Sequence, residues 1–189
     1  MGVQFSASDP EAVRRFAETN RKQADEFSLG SPENAWLIAV DWEFSDEDAA
    51  LIEGGLRPQV TEDLWRIDLH DSRLYFRRSW TGQLAFMSNF VRVPTAGARI
   101  TRLWIPGDEP FSDQPPEYLA AYIRHLIDTH LLGVLSAFPI PPEFPADDQQ
   151  IASFVFHSVG RRGWLAEYFI VGKSLSRKAG QGFDTEELV

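Results

Sequence analysis

Between Leu64 and Ile105 apolar residues recur at every second position. Trp65, Ile67 and Leu69 alternate with Arg66, Asp68 and His70, the period of a strand with one face buried and one solvated. Asp71-Ser72 interrupts the pattern. Leu74 and Phe76 then alternate with Arg73, Tyr75 and Arg77, which predicts a second strand returning antiparallel to the first. Thr81-Gly82 supplies another turn, and Leu84, Phe86, Ser88 and Phe90 share one face of a third strand. Pro94 to Gly97 break the run. A fourth strand is expected over Arg99 to Ile105, ended by Pro106-Gly107.

Helical periods flank this block. Ser8-Asp9-Pro10-Glu11 opens a helix with a thin stripe (Val13, Phe16, Ala17, Ala24, Phe27) that runs to about Phe27. Ala35 to Val40 is short and uniformly apolar, and fits a buried strand or a buried helix equally. Ser45-Asp46-Glu47-Asp48 starts a short helix that ends at Gly54-Gly55. The clearest helix opens at Pro115-Pro116-Glu117 and carries Leu119, Tyr122, Ile123, Leu126, Ile127 and Leu131 on one face, with Gly133 as its stop. Phe138 to Pro145 is proline-rich and reads as an extended connector. Ile151, Phe154, Val155 and Val159 mark a last helix, stopped at Gly160 with Arg161 and Arg162 at its negative end. Trp164 to Val171 fits strand or helix, and residues 172–189 read as a flexible tail of a single domain. The fold class is α+β: a central antiparallel sheet of four or more strands, with helices packed mainly on one face.

Charge divides the chain. Residues 64–105 hold seven arginines (66, 73, 77, 78, 92, 99, 102) and two acids, a surplus of +5 in a protein of net charge −10. Residues 31–63 hold nine acids against Arg57 and are the natural internal partner for an arginine-bearing sheet face. The overall acidity disfavours extended nucleic acid and anionic membranes as partners. With no cysteine, disulfides and thiolate metal sites are excluded. No leader or membrane-length apolar run is evident, so a cytoplasmic location is expected.

Complete catalytic motifs are missing. Gly172-Lys173-Ser174 resembles the end of a phosphate loop, but Glu167 stands where its first glycine belongs. Asp41, Glu43 and Ser45 begin like a calcium loop, but Asp46 and Ile52 occupy its glycine and glutamate positions. The four histidines (70, 125, 130, 157) include no helical zinc pair, and neither a metal nor a cofactor is expected. Of His125 and His130, one is expected at a core boundary and one on the surface. His70 beside Asp71, with Glu167 farther along, remains the weak candidate for proton transfer. Arg77, Arg78, Ser79, Trp80, Thr81 and Gly82 form the candidate ligand-binding unit: guanidinium forks and hydroxyls for an anion, an indole for stacking.

Tyr75-Phe76-Arg77-Arg78-Ser79-Trp80-Thr81-Gly82 resembles a Tyr-Phe-x-Arg-Ser-Trp-Thr-Gly signature found in small bacterial proteins without an established activity. The likeness continues through Trp104-Ile105 into the helix ending at Gly133, covering residues 64–133. It implies that Arg78 to Gly82 act as a unit, and some members carry labels that point to ADP-ribose chemistry. Two functions follow as expectations. One is an acidic binding protein of the immunity or antitoxin type that masks a basic protein partner. The other is an enzyme or sensor for an anionic small molecule, nucleotide- or ADP-ribose-derived, held at the Arg-Ser-Trp-Thr-Gly hairpin.

Overall fold

The computed structural model describes residues 10–22, 26–27, 35–94, 96–107, 113–144, 147–162, 167–171 and 176–178. Helix α1 is Pro10–Arg21, strand β1 Ala35–Phe44 and helix α2 Asp46–Gly54. Strands β2 (Trp65–His70), β3 (Arg73–Arg78), β4 (Leu84–Asn89), β5 (Val91–Val93) and β6 (Gly97–Pro106) follow. Helix α3 (Pro116–Leu126) runs into a π-helical turn, Ile127–Leu131. Strand β7 (Phe138–Ile140), helix α4 (Asp148–Val159), strand β8 (Glu167–Ile170) and strand β9 (Ser176–Lys178) complete the order.

The main sheet has six strands in the order β1-β6-β4-β3-β2, with β5 paired to β6, and every pairing is antiparallel. Asp71 and Ser72 take φ of 47° and 58°, so the β2–β3 hairpin closes through two left-handed residues, neither of them glycine. The uniformly apolar Ala35 to Val40 is strand, not helix. Its alternation continues through Asp41, Trp42, Glu43 and Phe44 and places β1 antiparallel on β6. Register slips by one residue between Ala39 and Trp42. Opposite the slip, the Asn89 carboxamide accepts from the backbone N–H groups of Thr101 and Arg102 and donates to the Thr101 hydroxyl.

Trp65, Ile67, Leu74, Phe76, Phe86, Leu103 and Ile105 face a core closed by α2, α3 and α4. Trp65 stacks on Phe86, and Tyr122 of α3 meets both edge-on. Burying such side chains contributes about 2 kcal/mol each. Ser158 of α4 fastens the layers, because its carbonyl accepts from both the Trp65 indole and the Tyr122 hydroxyl. Ser45 and Asp48 form a reciprocal capping box for α2.

The C-terminal half of helix α1 meets the opposite side of the sheet at Arg66 of β2 and at the β3–β4 turn. This changes the expected half-solvated character of those strands: Arg66, Asp68, Tyr75 and Arg77 are buried as well as Trp65 and Ile67. The helix ends at Arg21, six residues short of the expected Phe27, yet Phe27 still packs beneath it on the sheet. The proline-rich connector contains β7, which pairs in parallel with β8, so the ambiguous stretch before Val171 is strand from Glu167. Within the expected tail, Ser176–Lys178 pair with β8, and the remainder lies outside the described residues. No helix among the described residues is long and apolar enough to cross a membrane.

Candidate functional site

The Arg-Ser-Trp-Thr-Gly unit sits where β3 turns into β4, and its polar groups are used to join elements. Arg78 lies on the core side, its guanidinium 4.1 Å from the Trp65 ring centroid. Burial raises the Tyr122 hydroxyl to about 12 against a downward pull from Arg78, Trp65 and Ser158. The Ser79 backbone bridges two elements: its N–H donates to the Leu64 carbonyl and its carbonyl accepts from the Asn20 carboxamide of α1. The Trp80 indole N–H donates to the Thr61 carbonyl at 2.9 Å, and the ring packs on Phe16, 5.2 Å between centroids. The Thr81 hydroxyl accepts from the Gln83 N–H within the turn. Gly82 has φ +71°, and a Cβ there would come within 2.8 Å of the Phe27 ring.

Arg77 points to the other face, into the seam under α1. It stands directly opposite Arg66 in the β2–β3 register. Both guanidinium groups lie 4.8 Å from the centroid of the Phe27 ring, and the Lys22 ammonium lies 5.9 Å from it. Asp68 takes Arg66 in a bidentate pair at 2.7 and 3.1 Å. Arg66 Nη1 reaches the carbonyls of Thr19 and Asn20, at the negative end of α1. Among the described residues Arg77 makes one hydrogen bond, to the Gly82 carbonyl at 3.2 Å, and its Nη2 is buried without a partner. Burial lowers the Arg77 pKa against the pull of Asp68, and Arg66 adds to the lowering.

The proton-transfer candidates stand apart from this seam. His70 Nε2 lies 3.3 Å from Asp71 Oδ2 at the far end of the β2–β3 hairpin, beside a largely exposed carboxylate. Glu167 opens β8, and its side chain lies outside the described residues. Arg161 does not join the hairpin arginines: it pairs with Asp63 in the turn before β2. That turn also presents the Thr61 carbonyl to Trp80.

Acids of the α2 region meet several of the sheet's arginines. Arg92 pairs with Glu53 and Asp46, and Arg99 pairs with Asp41. Glu43 and Glu47 are exposed and Glu62 is half-exposed; among the described residues none of the three lies within ion-pair distance of a basic side chain, while Glu43 acts on Arg99 and Glu62 on Arg161 through space.

His125 and His130 are both buried, which corrects the expected boundary and surface positions. The π-helical turn brings His130 between the Thr129 hydroxyl and the Val159 carbonyl. His125 Nδ1 shares a 2.8 Å hydrogen bond with Ser136, its Nε2 has no partner, and Phe138 packs edge-on against its ring. Burial lowers its pKa to about 4 despite the Ala137 backbone. The Ser136 contact crosses a loop and has no signal in local spacing. Compared with known proteins, the chain matches no family model, no curated protein and no solved structure.

Proposed function

We propose that this chain is a non-enzymatic binding protein whose acidic surface around α2 and the end of β1 engages a basic protein partner. The observation that carries this reading is the internal use of Arg66, Arg78 and Trp80. Arg66 is paired with Asp68, Arg78 rests on Trp65, and Trp80 is bound to Thr61 and Phe16. Arg92 and Arg99 are likewise taken up by acids of this chain. The charge left on the surface is negative, with Glu43, Glu47 and Glu62 among its bearers. Such a surface steers a cationic partner over long range and gives an association that weakens with salt.

The test is affinity capture on immobilised protein from a lysate of its native host, followed by a salt gradient and identification of what elutes. A basic protein released by salt, and no longer held by a Glu43→Lys/Glu47→Lys/Glu62→Lys variant of unchanged stability, supports the proposal. Retention unaltered by the three reversals refutes it.

A further inference from the structure

Three cations converge on Phe27. Arg66 and Arg77 hold their guanidinium carbons at the same distance from its ring, and Lys22 approaches from the end of α1. Like charges placed directly opposite on neighbouring strands repel, and burial strengthens the repulsion. Asp68 gives both its oxygens to Arg66 and reaches Arg77 only through space. The carbonyls at the end of α1 add a partial negative charge, also on the Arg66 side. Arg77 is left with a single neutral acceptor and an unpartnered Nη2, although the residue is only 2% exposed. Asn20, whose carboxamide N–H donates to the Ser79 carbonyl at the α1–hairpin contact, has a buried Oδ1 with no partner among the described residues. A planar guanidinium with a free edge, next to a second guanidinium and an ammonium, is an arrangement suited to a tetrahedral or planar oxyanion.

We propose that the seam between α1 and the β2–β3 hairpin binds a small oxyanion, a phosphate or carboxylate group, on Arg77 Nη2. Lys22 and Arg66 supply the surrounding positive field. This site is narrower than the hairpin unit read from the sequence: it keeps Arg77, adds Arg66, Lys22 and Phe27, and leaves Arg78 and Trp80 to the fold. It goes beyond the partner-binding reading and stands or falls separately from it, because the acidic surface contributes none of these residues. An oxyanion in the seam completes the charge balance beneath α1 and holds that helix on the sheet.

The experiment is a thermal-shift and calorimetric titration of the full chain with inorganic phosphate, pyrophosphate and malonate. Sodium chloride at matched ionic strength is the control. The expected result is a saturable rise in Tm with at least one oxyanion, with binding weakened about 10-fold or more by Arg77→Lys, which keeps the charge but removes the fork. The exposed Lys22→Gln substitution, which leaves the buried pair untouched, should weaken binding about 3-fold and more at low salt. It also keeps the test valid if Arg77→Lys folds poorly. Hydrogen exchange of residues 10–22 should slow in the bound state. A shift that follows ionic strength regardless of the anion overturns the proposal. So does calorimetric binding that is unchanged in both variants.

Discussion

Removing the Asp63 carboxylate should cost this protein a large part of its stability. The side chain is fully buried between β2 and α4. Four hydrogen bonds converge on it: Arg161 Nε and Nη2 at 2.7 and 3.1 Å, and the backbone N–H groups of Gln59 and Val60 at 2.8 and 3.3 Å. Burial raises the carboxyl pKa, but these four donors outweigh it and bring it from 3.8 to about 2. That interval corresponds to about 2.5 kcal/mol in favour of the folded state. Because the folded-state value is depressed, the contribution is complete above pH 3.8 and is lost as pH falls toward 2. Asp63→Ala also orphans two backbone donors and frees a half-exposed arginine, so its cost at pH 7 should be about 3 kcal/mol. For a chain of this length that is a Tm lowered by roughly 6–12 °C. Asp63→Asn, which keeps one acceptor, should lose about half as much. The assay is urea denaturation of wild type, both Asp63 variants, Arg161→Met and the Asp63→Ala/Arg161→Met double variant, at pH 7 and pH 3. Additive losses for Asp63→Ala and Arg161→Met would refute the coupling. Equal stability of Asp63→Asn and wild type at pH 7 would refute the role of the charge.

The remaining predictions concern the hairpin, the sheet and the core. Gly82→Ala should cost about 1–3 kcal/mol, since it combines a left-handed backbone with a Cβ driven into Phe27, and increased protease cleavage within α1 would report the loosened seam. Asn89→Ala should cost about 2 kcal/mol by stripping the Thr101 and Arg102 N–H groups of their acceptor, as read by thermal denaturation, whereas Asn89→Asp should be milder. His125 has a folded-state value near 4 against 6.5 when free, so the unfolded chain takes up its proton first. Stability should therefore fall by about 3 kcal/mol as pH drops from 6.5 to 4, and His125→Leu should flatten Tm against pH in that window. The Asp63 effect begins only below it.

Much of the sheet is legible in the sequence because its turns and periods are local. Asp71-Ser72, Gly82 and the Trp65–Ile67–Leu69 alternation mark the hairpins, and Leu119 to Leu131 marks the helix across them. What local pattern does not carry is the second covering of β2 and β3. Arg66 and Arg77 occupy positions that alternation assigns to solvent, and they are buried because α1 and Phe27, distant in sequence, close over them. Their charge is tolerated through Asp68 and the α1 carbonyls, a tertiary arrangement with no periodic trace. The π-helical turn is hidden for a related reason: the apolar stripe runs through Leu131 without a break, while the hydrogen bonding changes at Ile127. The Arg-Ser-Trp-Thr-Gly unit is legible as a unit. That Arg78 rests on β2 while Ser79 and Trp80 reach both α1 and the turn before β2 emerges only in three dimensions.

One comparison bears directly on the central claim that the hairpin unit serves the fold while the acidic surface serves a partner. Capture of a basic protein from the host lysate is measured side by side for Trp80→Phe and for Glu43→Lys/Glu47→Lys/Glu62→Lys. Trp80→Phe keeps an aromatic ring against Phe16 and removes the hydrogen bond to Thr61 and part of the ring contact, about 1–2 kcal/mol of stability. The account predicts that it retains the partner fully, and that the charge-reversed protein releases it. Loss of the partner from Trp80→Phe, with retention by the charge-reversed protein, would contradict the account and move the working face to the hairpin.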